Sequence, residues 1–86
     1  MSTIVDLSFA KILRSLRKDK KMSQEELAFR SKLDRTYISM LERAIHKPTI
    51  TTLFALSRAL QIRPSELIRR IEADIGWDEQ EQQNAD

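Results

Sequence analysis

Arg35, Thr36, Tyr37 and Ser39 crowd into the stretch LDRTYISMLER, with Arg43 one turn beyond them. Together they offer a planar fork of N–H donors and three hydroxyls. Asp34 precedes the set and Glu42 follows the core residue Leu41, so the outward set Arg35, Thr36, Tyr37, Ser39, Met40 and Arg43 contains no acid. Without a cluster of titratable groups to activate a hydroxyl, such side chains are suited to exchanging hydrogen bonds with an outside surface. The only histidine, His46, has no second titratable group placed with it for general acid–base work, and there is no cysteine. Disulfides, thiolate metal sites and a multi-His metal site are therefore unavailable. No enzyme activity, metal or cofactor is expected.

Beneath that outward set lies a second pattern. Leu33, Ile38 and Leu41 are spaced to face a core, so the stretch is a helix with one buried and one presented face. Asp34 is an N-cap residue type for it, and Pro48 follows its end. The preceding helix opens at SQEE, where Ser23 and Glu26 have capping-box spacing, and ends near Arg30. An earlier helix runs from about Leu7 to Lys20, with Phe9, Ile12, Leu13 and Leu16 inward and Asp6 or Ser8 as cap. A fourth helix starts at Thr49 and turns Ile50, Leu53, Leu56, Ala59 and Leu60 inward, until the residue before Pro64 is pushed out of the helical region. Pro64 opens a fifth, which carries Leu67, Ile68, Ile71 and Ile75 toward Gly76. With one Gly and two Pro, nothing favours a sheet.

The 86 residues make one all-α domain able to bury a compact core but no deep cleft. Residues 1–47 hold eleven Lys/Arg against six Asp/Glu, and residues 48–86 hold four against seven. The basic half is the anion-facing half. The domain is expected over 1–75, followed by an acidic, mobile tail over 76–86. The N-terminal MSTIVDLSFAKIL has no secretory pattern, and no run approaches the roughly 18 apolar residues of a membrane span, so a cytoplasmic protein is expected.

Two helices joined by three or four residues, crossing where small Ala28 permits close approach, form the helix-turn-helix signature. The run MSQEELAFRSKLDRTYISMLERAIHKPTITTLFALSRALQI resembles the Cro and phage-repressor type of helix-turn-helix, the Xre family, over roughly residues 7–72. LDRTYIS with the following ER most resembles the controller proteins of restriction–modification systems. The resemblance implies a five-helix, lambda-repressor-like DNA-binding domain. Lys32 and Ala44 stand where that family often has Gly, whose role is a left-handed backbone.

In such a module the third helix enters the major groove of double-stranded DNA while the second crosses the backbone. Arg35 and Thr36 are then the direct base readers, arginine pairing with guanine O6 and N7, with Tyr37 and Ser39 as the next candidates. Each has a plainer reading: Arg35 as a surface residue near Asp34, Tyr37 on sugar and phosphate, Ser39 as merely exposed. Met40 fits either a base methyl or the edge of the core. Gln24 at a helix start suits a phosphate, and the resemblance implies phosphate contacts from Arg43, His46, Lys47 and Thr49. It also implies a structural ion pair between Arg17 and Glu42.

One short helix reads too few base pairs, so a homodimer on a palindromic operator is expected, its reading helices about 34 Å apart. Phe54, Ile68, Ile71, Ile75 and Trp77 are the apolar residues assigned to the subunit contact; completing the monomer core is the alternative for Ile68 and Ile71. The function implied is a transcriptional regulator that blocks or recruits RNA polymerase. A DNA-binding antitoxin and a protein-interaction helical domain are the alternatives.

Overall fold

The computed structural model describes residues 2–78. Five helices follow in order: α1 (Ile4–Asp19), α2 (Gln24–Ser31), α3 (Arg35–Glu42), α4 (Ile50–Ala59) and α5 (Pro64–Ile75). Of the tail expected over 76–86, residues 79–86 lie outside the described residues.

α1 begins a turn earlier than the apolar stripe implies, and its cap is neither Asp6 nor Ser8. Thr3 is the N-cap: its Oγ1 accepts from Asp6 N at 3.1 Å while the Asp6 carboxylate accepts from Thr3 N at 3.0 Å. This reciprocal box is hidden in the sequence because the residues it opens onto, Ile4 and Val5, are exposed rather than core-facing. Ser8 is buried and serves elsewhere, donating to Asp74 Oδ2 at 2.7 Å. Ser23 caps α2 as expected by accepting from Glu26 N at 3.0 Å, but the other half of that box is replaced: the Glu26 carboxylate lies 3.4 Å from Arg30 Nε. Asp34 and Thr49 cap α3 and α4. Pro64 occupies the first turn of α5, and Gly76 ends it with φ 65°.

Among the described residues four non-glycines hold a left-handed backbone, Lys21, Lys32, Ala44 and Gln61, one after each of the first four helices. Lys32 and Ala44 were expected there; Lys21 and Gln61 repeat the same device. Each costs roughly 1–2 kcal/mol against glycine's freedom. Each is followed by a long closing bond to the helix it ends: Met22 N to Arg17 O at 3.1 Å, Leu33 N to Ala28 O at 2.9 Å, Ile45 N to Met40 O at 2.9 Å and Ile62 N to Ser57 O at 3.0 Å. Those bonds satisfy carbonyls that a helix end otherwise leaves without partners.

The core joins Phe9, Leu13 and Leu16 of α1 to Leu27 and Ala28 of α2, Ile38 and Leu41 of α3, Leu56 and Leu60 at α4, and Leu67 and Ile71 of α5. Ile50, expected inward, is 71 % exposed. It sits four residues before Phe54, which is exposed too, while Thr52 and Leu56 take the inner face of α4. α1 packs on α5 and α3, and α2 on α3 and α4. Asp74 clasps α5 to α1, accepting from Lys11 Nζ at 2.6 Å as well as from Ser8. No helix of the described residues is long and apolar enough to cross a membrane.

Candidate nucleic-acid interface

The close approach of α2 to α3 is made by Ala28, which is buried, and by Ser31, whose hydroxyl is satisfied by Leu27 O at 2.7 Å. Ile38 and Leu41 are fully buried and Leu33 is packed against the core, which fixes the rotation of α3 about its axis. That rotation leaves Arg35 and Thr36 exposed on its first turn, with Tyr37, Ser39 and Met40 half-buried beside them.

Asp34 does not hold Arg35. Its Oδ2 accepts from Thr36 N at 3.0 Å as the helix cap, and no carboxylate lies within ion-pair distance of Arg35 among the described residues. The guanidinium fork is therefore free to meet an outside acceptor.

The far end of α3 is tied down by a buried, two-pronged pair. Arg17 donates through Nε to Glu42 Oε2 at 2.7 Å and through Nη2 to Oε1 at 3.0 Å, and its Nη1 reaches Met22 O at 2.8 Å. The hydrogen-bonded Glu42 carboxylate holds the Arg17 guanidinium above its ordinary pKa, burial acting the other way. Gln24 joins the pair, its Nε2 donating to Glu42 Oε1 at 3.1 Å. The phosphate expectation for Gln24 does not include its partnership with Glu42, which spans 18 residues of sequence and leaves no trace in local spacing. The amide is thus held in one orientation at the start of α2.

The loop after α3 is braced from the N-terminus. Ser2 Oγ donates to Ala44 O at 2.7 Å, and Lys47 Nζ lies 3.8 Å from Asp6 Oδ2. The Thr3 N–H holds the Asp6 carboxyl below the usual range, with Lys47 acting in the same direction. The His46 ring sits 6.2 Å from that of Tyr37, tilted by 44°, so the loop also touches the presented face of α3. Arg43, His46 and Lys47 are exposed. The Thr49 hydroxyl is committed to capping α4, accepting from Thr52 N and donating to Thr52 Oγ1, both at 3.0 Å.

A helix-turn-helix family model matches residues 13–67 of the chain. The chain belongs to the helix-turn-helix family. It is 38 % identical over 69 residues to the control protein C.BamHI of Bacillus amyloliquefaciens, covering 79 % of this chain and 85 % of that one. The crystal structure of the restriction–modification controller protein C.AhdI of Aeromonas hydrophila is 42 % identical, with a TM-score of 0.70 over 72 % of this chain and 94 % of that one. Wild-type controller protein C.Esp1396I superposes with a TM-score of 0.80 at 30 % identity, over 86 % and 95 % of the two chains.

Within this helix-turn-helix domain the five residues assigned to a subunit contact do not form one patch. Phe54 is exposed across a groove from Arg63 and Pro64, and Ile68 is exposed one turn further along α5. Ile71 is buried in the core of the single chain, so its assignment to a partner is corrected: α5 is rotated on α1 so that Leu67 and Ile71 point inward together. Ile75 is half-buried against that core, and Trp77 lines a separate groove with Arg69 and Ala73. Among the described residues no group of His, Cys, Asp or Glu is placed to hold a metal ion.

Proposed function

We propose that this chain is a sequence-specific DNA-binding transcriptional regulator of the restriction–modification controller type, acting as a homodimer on a palindromic operator. The observation that carries the reading is the first turn of α3: Arg35 and Thr36 are exposed without an intramolecular partner for the guanidinium, on a helix held at its other end by the Arg17–Glu42 pair. A helix presented this way can enter the major groove, where Arg35 donates to guanine O6 and N7 and Thr36 offers a hydroxyl or a methyl. Tyr37 and Ser39 border the same face. Gln24, Arg43, His46 and Lys47, with the N-terminus of α4 at Thr49, surround it as phosphate contacts.

The relatives, control proteins and an immunity repressor among them, support regulation of transcription. Occupying an operator beside a promoter either excludes RNA polymerase or helps to seat it, and the position of the operator decides which. Exposed Phe54 and Ile68 supply an apolar surface for the two-fold contact. Footprinting on DNA upstream of the chain's own gene, at stated salt, is expected to show a symmetric protected site. Arg35→Ala is expected to relax preference at one base per half-site, whereas Lys47→Ala weakens all sequences alike. Equal losses from both substitutions on every sequence would remove the readout assignment.

A further inference from the structure

α1 carries a row of side chains that neither the core nor the recognition face uses. Leu7, Lys11, Arg14 and Lys18 recur at helical spacing on one face of α1. That face and the end of α3 line a single groove, whose floor includes Leu7 and Ala10 and whose rim includes Arg14, Lys18 and Arg43. The groove's acid, Glu42, is already neutralised by Arg17. Lys11 is neutralised by Asp74 at 2.6 Å, whereas no carboxylate lies within ion-pair distance of Arg14, Lys18 or Arg43 among the described residues. Three cations thus share one groove with no internal counter-charge left in it.

We infer that this groove is a track for the sugar–phosphate backbone flanking the operator half-site, with Arg14 and Lys18 as phosphate-binding residues beyond those of the helix-turn-helix. The inference rests on the DNA-binding reading above and extends its footprint. Arg43 supplies continuity, since it belongs both to this groove and to the loop that carries His46 and Lys47. The charge fits an anion, and the spacing fits two of them. Four residues of helix rise about 6 Å, against a rise of about 3.4 Å per phosphate along one strand, so the two cations reach separate phosphates. The apolar floor accepts the C–H faces of deoxyribose.

The test is the salt dependence of binding to mixed-sequence duplex DNA, long enough to overhang the protein, for wild type and for Arg14→Gln/Lys18→Gln. Two lost phosphate contacts are expected to make the plot of log affinity against log salt shallower by about 1.8 per bound chain. Over a fourfold rise in salt, the affinity lost then shrinks by roughly tenfold. A mixed-sequence duplex too short to extend past the recognition helix is expected to remove the difference between the two proteins. The charge-keeping exchange Arg14→Lys/Lys18→Arg is expected to retain the wild-type slope, and thermal unfolding of every variant checks the fold. An unchanged slope on the long duplex, beside normal wild-type binding, would overturn the track. A slope lost in the charge-keeping exchange would also overturn it. Wild-type protein that shows no salt-dependent DNA binding would instead remove the regulator reading itself.

Discussion

Replacing Glu42 by alanine strands the Arg17 guanidinium in a place water barely reaches. The two side chains are 10 % and 3 % exposed, and the truncation deletes both oxygens that accept the 2.7 and 3.0 Å bonds. Arg17 keeps only Met22 O among its side-chain bonds, and the Gln24 amide loses its 3.1 Å partner. Removing one member of a buried pair costs about 3–5 kcal/mol, because the other charge stays desolvated. A chain of this length has a total stability of roughly 4–13 kcal/mol, so a large share of the margin goes. At 4–8 °C per kcal/mol for so small a domain, the unfolding midpoint falls by about 12–40 °C.

Urea and thermal unfolding followed by far-UV circular dichroism measure the loss. Glu42→Gln keeps the shape and one acceptor, and is expected to fall between wild type and alanine. The double replacement Arg17→Met/Glu42→Leu strands no charge, so most of the lost stability returns. Its affinity for DNA does not return with it, because Gln24 is no longer held and the end of α3 has no polar tie. A loss below about 1 kcal/mol for Glu42→Ala is the value of a solvent-exposed bridge and would refute the claim that this pair sets the helix. Full DNA affinity in the double variant would refute the claim that it positions Gln24.

Other expectations follow from the same geometry. Lys32→Gly is expected to stabilise the fold by about 0.5–1 kcal/mol, the relief of the left-handed strain less the extra entropy of glycine in the unfolded chain, read from the urea midpoint. Asp6, Glu66 and Asp74 all titrate below their ordinary values, held down chiefly by the Thr3 N–H, by Arg69 and by Lys11 respectively. Their folded-state values lie below the unfolded ones, so the stability they contribute is complete at neutral pH and is lost as pH falls through about 4 and below. Urea midpoints measured between neutral and acid pH are expected to show a smaller acid loss in Asp74→Asn than in wild type. Arg17, shifted upward, contributes at every pH below strong alkali and adds no slope to that range. Phe54→Asp/Ile68→Asp is expected to sediment as a folded monomer, whereas Ile71→Asp places a charge in the core and unfolds the chain; a folded dimer from the first variant would move the subunit contact elsewhere.

Local chemistry was legible where partner and partnered lie within a turn of each other beside a core-facing stripe; the Thr3–Asp6 box, which opens onto exposed residues, was not. Ser23, Asp34 and Thr49 cap the helices whose spacing predicts them, and Leu33, Ile38 and Leu41 orient α3 as their periodicity implies. The Arg17–Glu42 pair came from resemblance, not from spacing, and no spacing rule links positions 25 residues apart. Gln24 with Glu42, Lys47 with Asp6, and Ser8 with Asp74 were invisible for the same reason: each joins elements whose approach is set only by the assembled core. The misplacement of Ile50 and Ile71 is of another kind. An apolar arc containing Leu67, Ile68, Ile71 and Ile75 is wider than one helix needs to bury, so the pattern leaves the rotation of α5 open by about one residue, or 100°. Packing on α1 settles it in favour of Leu67 and Ile71.

The basic character of the first half of the chain is sharpened by how its acids are used. Asp6 is spent on the Thr3 cap and Lys47, Asp34 on the Thr36 N–H, and Glu42 on Arg17 and Gln24. Each of these three acids therefore stabilises the fold locally, and each has its charge turned toward a donor of the chain itself. Arg14, Lys18, Arg35 and Arg43 have no such partner among the described residues. A modest formal charge of +2 thus understates the field that an approaching polyanion meets. Asp6, Glu26, Asp34 and Glu42 are held in caps and pairs, while Arg14, Lys18, Arg35 and Arg43, along α1 and α3, keep no carboxylate partner among the described residues. Acids placed to cap and tie the helices cost the DNA-facing side little of its attraction for phosphate, which lets so short a chain both fold and bind with the same set of charges.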